Sequence, residues 1–74
     1  MTQDEAFAEA GKTIRKARES KGLSQEALAL EINADQSGLS RVERLGPHEV
    51  SWNKLLRIAE ALDCIIEVNF RQRA

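Results

Sequence analysis

The chain has 74 residues, of which 42 % are hydrophobic and 31 % charged, so it fits one small globular domain and not a disordered chain. Eleven Lys and Arg residues against twelve Asp and Glu residues give a net charge of −1, which excludes a globally basic nucleic-acid-binding chain. The only cysteine, Cys64, excludes an intrachain disulfide, and with the only histidine it provides too few ligands for zinc. We therefore expect no metal, no other cofactor and, without a catalytic constellation, no enzyme activity. The acidic N-terminus and the lack of a long apolar run predict a cytoplasmic protein without a membrane segment.

The first predicted helix spans residues 4–21 and the second spans residues 25–32. In the first, Phe7 and Ile14 belong to an apolar face with a spacing of three and four residues. Gly22 is a typical C-terminal cap. Ser24 is a favourable N-cap for the second helix, and Asn33 tolerates the left-handed conformation that ends a helix.

The third predicted helix spans residues 36–44, after Asp35 as its N-cap. At 100° per residue, its hydrogen-bonding side chains fall within an arc of about 140°. These residues are Gln36, Ser37, Ser40, Arg41 and Arg44. The opposite side is small or apolar, so this helix has one polar face and one packing face.

The fourth predicted helix spans residues 52–62 behind the N-cap Ser51. We expect Trp52 in the core, with an interface position as the alternative. Cys64 is expected to be a small buried residue. Residues 65–71 alternate in the manner of a β-strand, with Ile66, Val68 and Phe70 on one side. Because no other segment reads as a strand, we expect it to pair with the same strand of a second copy, giving a homodimer.

Residues 14–62 resemble the Cro/cI-type (XRE) helix-turn-helix domain of phage repressors and small bacterial regulators. The matching segments are Gly22-Leu23-Ser24-Gln25-Glu26, Gln36 to Arg44 and Leu55 to Leu62, in the right order and spacing. The resemblance implies a mainly α, lambda-repressor-like bundle of about four helices, here with the C-terminal strand pairing across the dimer. Residues 1–74 are then a single domain of bacterial or phage origin. Two departures are Asn33 in place of glycine and Leu45 before Gly46, and they predict a reshaped loop after the third helix.

The resemblance implies that the third helix reads base edges in the major groove of double-stranded DNA. It places base contacts at Gln36, Ser37 and Arg41, and the short side chain of Ser40 suits the same role. It also implies a salt bridge between Arg18 and Glu43 that orients this helix. From the residues alone, a polar helix face can equally be a solvated one.

Contacts to the DNA phosphates are expected from the starts of the second and fourth helices and from a basic cluster on the first helix, formed by Lys12, Arg15, Lys16, Arg18 and Lys21. The residues are Gln25, Arg15, Lys16, Arg18, Arg44, Ser51 and Asn53. The phosphate contacts expected of the residues that flank the loop after the third helix depend on the conformation of that loop.

The implied function is a sequence-specific transcription regulator that represses from a palindromic operator as a homodimer. A restriction–modification controller is a variant of this function. The alternative is an antitoxin that also neutralises a protein toxin, for which the acidic residues Asp4, Glu5 and Glu9 offer a docking surface.

Overall fold

The computed structural model describes residues 2–68 and 70–72. It contains the helices α1 (Gln3–Ser20), α2 (Gln25–Glu31), α3 (Gln36–Leu45) and α4 (Trp52–Ala61). The prediction of four helices is confirmed, and no helix end differs from its predicted position by more than one residue. No helix in this part of the chain is long and apolar enough to cross a membrane.

Hydroxyl side chains cap three of the four helix N-termini. Thr2, Ser24 and Ser51 each accept a hydrogen bond from the backbone N–H three residues later, at 3.0–3.1 Å. Asp35 occupies the N-cap position of α3 as predicted, but its side chain makes no capping hydrogen bond. The first amides of α3 therefore lack the partner that the other helices have.

Three helices end in the same left-handed turn. Gly22, Asn33 and Asp63 have φ values of 71°, 57° and 56°. In each turn, the next residue donates its N–H to a carbonyl five residues back, at 2.8–3.2 Å. This is the Schellman geometry, which satisfies carbonyls at the helix end. Asn33 thus replaces the glycine common in the family because asparagine tolerates this conformation.

The core lies where α2, α3 and α4 meet. Its buried members are Leu28, Ala29, Ile32, Leu39, Ile58 and Leu62, with Ile14 and Ala17 of α1 packed against them. Leu28, Leu39 and Ile58 are the largest wholly buried side chains. Burying each contributes about 1.5–3 kcal/mol. This packing holds α3 by its apolar side, which leaves the polar side outward.

Helix α1 approaches α3 unusually closely at Gly11. A Cβ atom at this position would lie 2.5 Å from the carbonyl oxygen of Val42 and 2.8 Å from that of Glu43. Gly46, which follows α3 at a φ of 97°, is packed against the backbone of Phe7 in the same way. These two glycines allow backbone to pack on backbone, so α1 supports α3 along its C-terminal half.

Two expectations about burial are wrong. Trp52 is 54 % exposed, because it is the first residue of α4 and lies at the rim of an open groove outside the core cluster. Cys64 is exposed because it follows the left-handed turn at Asp63, where its backbone N–H donates to the carbonyl of Ala59 and its thiol to the carbonyl of Leu62.

The predicted strand at residues 65–71 is not formed in the single chain. Residues 65–68 and 70–72 have neither helical nor strand hydrogen bonding, and residue 69 lies outside the described residues. A β-strand needs hydrogen bonds to the backbone of a neighbouring strand, and the described part of this chain contains no other extended segment that could provide them. Ile65, Val68 and Phe70 are 89 %, 60 % and 94 % exposed, so this tail leaves large apolar side chains in water.

Candidate nucleic-acid interface

Helix α3 has two chemically distinct sides. Leu39, Val42 and Glu43 are buried against the rest of the domain. The opposite side carries Gln36, Ser37, Arg41 and Arg44, all exposed, and Ser40, which is half-buried. The structure therefore brings the five predicted polar residues together on one accessible helix face, with hydrogen-bond donors and acceptors along its whole length.

A buried ion pair fixes this helix to α1. Arg18 Nε donates to Glu43 Oε2 at 2.7 Å, and Arg18 Nη2 donates to Glu43 Oε1 at 3.1 Å. Arg18 Nη1 donates to the carbonyl oxygen of Leu23 at 2.7 Å. The hydrogen bond to Glu43 raises the pKa of Arg18, against the opposing effect of burial, so the guanidinium stays charged.

The expectation that Arg18 contacts phosphate is corrected by this geometry. Arg18 is only 8 % exposed, and its three guanidinium nitrogens are all bonded within the domain. A phosphate could reach it only by breaking the pair with Glu43, which would leave a buried carboxylate without its partner. This geometry favours Arg18 as a residue that positions α3 over one that contacts phosphate.

Gln25 joins the same network from the first turn of α2. Its Nε2 donates to Glu43 Oε1 at 3.0 Å, so Glu43 accepts from both α1 and α2. The second N–H of that amide has no partner among the described hydrogen bonds, and Gln25 is half-buried at the helix start. The amide can thus be held by Glu43 and still donate outward, as a phosphate contact requires.

Two cations of the basic cluster on α1 are paired with carboxylates of the same helix. Lys12 pairs with Glu9 at 3.5 Å, and Arg15 pairs with Glu19 at 3.6 Å, both on the surface. Lys16 is exposed, and no carboxylate lies within 4 Å of it in the part of the chain that is described. Of the predicted phosphate contacts on α1, Lys16 alone therefore presents a cation without an intramolecular partner.

The start of α4 and the loop before it lie beside α3. Ser51 and Asn53 are exposed, although the Ser51 hydroxyl already accepts the capping hydrogen bond. His48 packs edge-on against the ring of Phe7, with 4.6 Å between the ring centres and 80° between the planes. The reshaped loop is thus anchored to α1 by an aromatic contact.

Gly11, Arg57 and Lys54 are three positioning residues that were not identified from the sequence. Gly11 and Arg18 lie seven residues apart on the buried side of α1, and that spacing was the available signal for the contact with α3. Arg57 Nη1 donates to the carbonyl of Ile32 at 3.3 Å and so helps hold the end of α2. Lys54, half-buried at the start of α4, lies near Gly38, and no local sequence pattern predicts this contact.

No group of three or more potential metal-ligating side chains occurs in residues 2–68 and 70–72. The site consists instead of amide, hydroxyl and guanidinium groups on one helix, supported by buried charge. Such a surface can recognise hydrogen-bonding patterns and anionic backbones.

Comparison with known proteins supports the same fold and class. A family model described as helix-turn-helix matches residues 14–67. The solved structure of the restriction-modification controller protein C.AhdI from Aeromonas hydrophila has a TM-score of 0.74 and 39 % identity, covering 82 % of this chain and 91 % of that one. A point mutant of the restriction-modification controller protein C.Esp1396I has a TM-score of 0.71 and 29 % identity, covering 80 % and 75 % respectively. No functionally curated protein matches significantly.

Proposed function

The chain belongs to the XRE-type helix-turn-helix family of DNA-binding regulators, and from this premise we propose that it represses transcription by binding a palindromic operator as a homodimer. The observation that most directly supports this proposal is the accessible polar face of α3. The buried side of the same helix is fixed by the ion pair between Arg18 and Glu43. A helix of this kind fits the major groove, where each base pair has its own pattern of donors and acceptors.

Each side chain on this face has a chemically suitable partner. Gln36 can bond an adenine through two hydrogen bonds, and Arg41 can do the same with a guanine. Each such contact discriminates against a wrong base by about 1–3 kcal/mol. Ser37 and Ser40 reach base edges or nearby phosphates. With a net charge of −1, the domain depends on these base contacts more than on non-specific attraction.

The homodimer is supported by the apolar surface at the C-terminal tail. An open groove of about 540 Å³ lies between the N-terminal half of α1, α4 and residues 64–68. Phe7 and Trp52 line it, and both are partly exposed. Pairing Ile66, Val68 and Phe70 with a second tail would cover apolar surface and satisfy strand backbone groups. Two copies of α3 would then read half-sites about 34 Å apart.

The similarity to two controller proteins favours restriction–modification genes as the regulated target. The antitoxin alternative lacks comparable support. Asp4 and Glu5 lie in the first turn of α1, where acidic side chains offset the helix dipole without any partner.

Selection of bound sequences from random DNA at a stated salt concentration tests the proposal. We expect enrichment of one palindrome, and failure to enrich any would overturn it. Arg41→Ala should relax specificity at one base position per half-site, while Lys16→Ala should weaken all sequences alike and flatten the salt dependence.

The dimer is tested separately by light scattering. Deleting residues 65–74 should convert the dimer to a monomer, because it removes the segment that we expect to pair. An unchanged dimer mass would place the interface elsewhere.

A further inference from the structure

The open groove between the N-terminal half of α1, α4 and residues 64–68 is called the tail groove below. Phe7 belongs to its α1 wall and Trp52 to its α4 wall, and both aromatic side chains are partly exposed to water. Among the described residues that line it, Glu67 is the only charged one. A continuous apolar surface of this kind is typical of a contact with another protein segment.

Two segments of opposite charge lie outside residues 14–67, the stretch that matches the helix-turn-helix family. Residues 3–10 contain three acids and no base, whereas residues 68–74 contain two arginines and no acid. Within the described part of the chain, neither Asp4 nor Arg71 forms an ion pair. The family match therefore explains neither segment, and their charges are complementary.

The tail of the same chain leaves this groove open. Residues 64–68 form one of its walls, and Phe70 beyond them is 94 % exposed. Phe70 therefore needs an apolar surface, and the groove needs a large apolar side chain. In a two-fold dimer, one exchange of tails meets both needs at both grooves. The basic end of the tail also matches the acidic start of α1, so charge and apolar surface favour the same occupant.

We propose that the tail of a second copy occupies the tail groove, with Phe70 of the partner subunit packed against Phe7 and Trp52. Asp4 precedes Phe7 by three residues, or about 4.5 Å along α1, and Arg71 directly follows Phe70 in the sequence. Packing on Phe7 therefore brings Arg71 of the partner subunit within side-chain reach of Asp4. This inference rests on the homodimer of the proposed function. It adds the N-terminal half of α1 to the interface, which pairing of the two tails alone would leave out.

Charge reversal in two separate variants tests this contact. The head variant carries Asp4→Lys and Glu5→Lys, and the tail variant carries Arg71→Glu and Arg73→Glu. Each variant by itself should dimerise at least about tenfold more weakly than the wild type, because like charges face each other at both contacts. An equimolar mixture should form a heterodimer with nearly wild-type affinity, because each contact then joins opposite charges. Native mass spectrometry and sedimentation equilibrium measure these populations.

The mixture is the decisive measurement, because lysine in the first turn of α1 also opposes the helix dipole. That effect belongs to one chain, so a second chain does not reverse it. A preference for the heterodimer therefore requires contact between the acidic start of α1 in one subunit and the tail of the other. No preference for the heterodimer overturns the proposal, whether or not placing all four changes in one chain restores dimerisation. Wild-type dimerisation of both variants overturns it as well.

A double-mutant cycle tests the apolar part of the contact. Trp52→Ala should weaken the dimer at least about tenfold, although Trp52 lies outside the tail. Its effect should largely disappear in a Phe70→Ala background, because the two changes remove the same contact. Leu30→Ala is the matched control, since Leu30 is an exposed large apolar residue on α2 and does not line the groove. Additive effects of Trp52→Ala and Phe70→Ala, or an equal effect of Leu30→Ala, would contradict the assignment. Urea unfolding of each variant establishes that the fold is retained.

The masses are measured without DNA, so the two levels of the argument fail differently. A dimeric wild-type protein that selects a palindrome but shows no heterodimer preference refutes this inference alone. A wild-type protein that stays monomeric refutes both the tail exchange and the proposed homodimer. If the wild-type protein selects no operator at all, the proposed function fails, whatever the variants show in the mixture.

Discussion

Replacing Glu43 by glutamine should destabilise this domain more than most other single substitutions that conserve the volume of the side chain. The glutamine side chain has almost the same volume, so packing around it is retained. The change removes the negative charge that faces Arg18, and both residues are nearly inaccessible, at 4 % and 8 % exposed. Arg18 would keep its charge even though the Glu43 carboxylate that raises its pKa is gone, because a guanidinium is not deprotonated in proteins.

The expected loss is about 3–5 kcal/mol, which is the usual result of leaving one member of a buried ion pair without its partner. Two of the three Arg18 hydrogen bonds go to Glu43, and Gln25 bonds the same carboxylate. A small domain has about 5–15 kcal/mol in total, so this change would remove a large share of the free energy of unfolding.

Urea unfolding at one fixed protein concentration measures this loss, because the proposed dimerisation would make stability depend on concentration. Glu19→Gln is the matched control, since Glu19 forms an exposed pair with Arg15 at 3.6 Å. That variant should lose less than about 1 kcal/mol. The double replacement of Arg18 by methionine and Glu43 by leucine should recover much of the stability, because no buried charge then remains. Equal losses for Glu43→Gln and Glu19→Gln would refute this reasoning.

Four further substitutions test the packing and the helix caps. Gly11→Ala should lower the free energy of unfolding by about 1–3 kcal/mol, because its Cβ would meet the α3 backbone at 2.5 Å; thermal melting checks this. Gly46→Ala should be similarly costly because it adds strain at a φ of 97° to a clash with Phe7, and urea unfolding would show it. Ser51→Ala should cost about 1 kcal/mol, whereas Asp35→Ala should cost distinctly less because Asp35 makes no capping hydrogen bond; equal losses by circular dichroism would contradict this.

The helices could be predicted because their ends are specified locally. Ser24 and Ser51 cap helix starts through hydrogen bonds three residues along the chain, and Gly22 and Asn33 adopt left-handed turns. These signals need no knowledge of the rest of the fold. The polar face of α3 follows from helical geometry for the same reason.

The wrong expectations concern the tertiary surroundings of a residue, which depend on segments that are distant in the sequence. Hydrophobicity made Trp52 a core candidate, but its exposure depends on where α4 begins relative to the core. Charge made Arg18 a phosphate candidate, but each of its three guanidinium nitrogens already donates to Glu43 or to the carbonyl of Leu23. The separation of Lys54 from Gly38 by 16 positions gives no periodic signal, so only the folded chain brings them together.

The two sides of α3 have a consequence for how such a regulator diverges. Gln36, Ser37, Arg41 and Arg44 make no contribution to the buried core, and substitutions at exposed positions usually change stability by less than about 0.5 kcal/mol. A domain of 74 residues has little stability to lose, yet the residues that we propose read the bases are those that can change with almost no loss of stability. Duplicated copies of the gene could therefore acquire new operators one exposed residue at a time, while the supporting network under α3 stays constant.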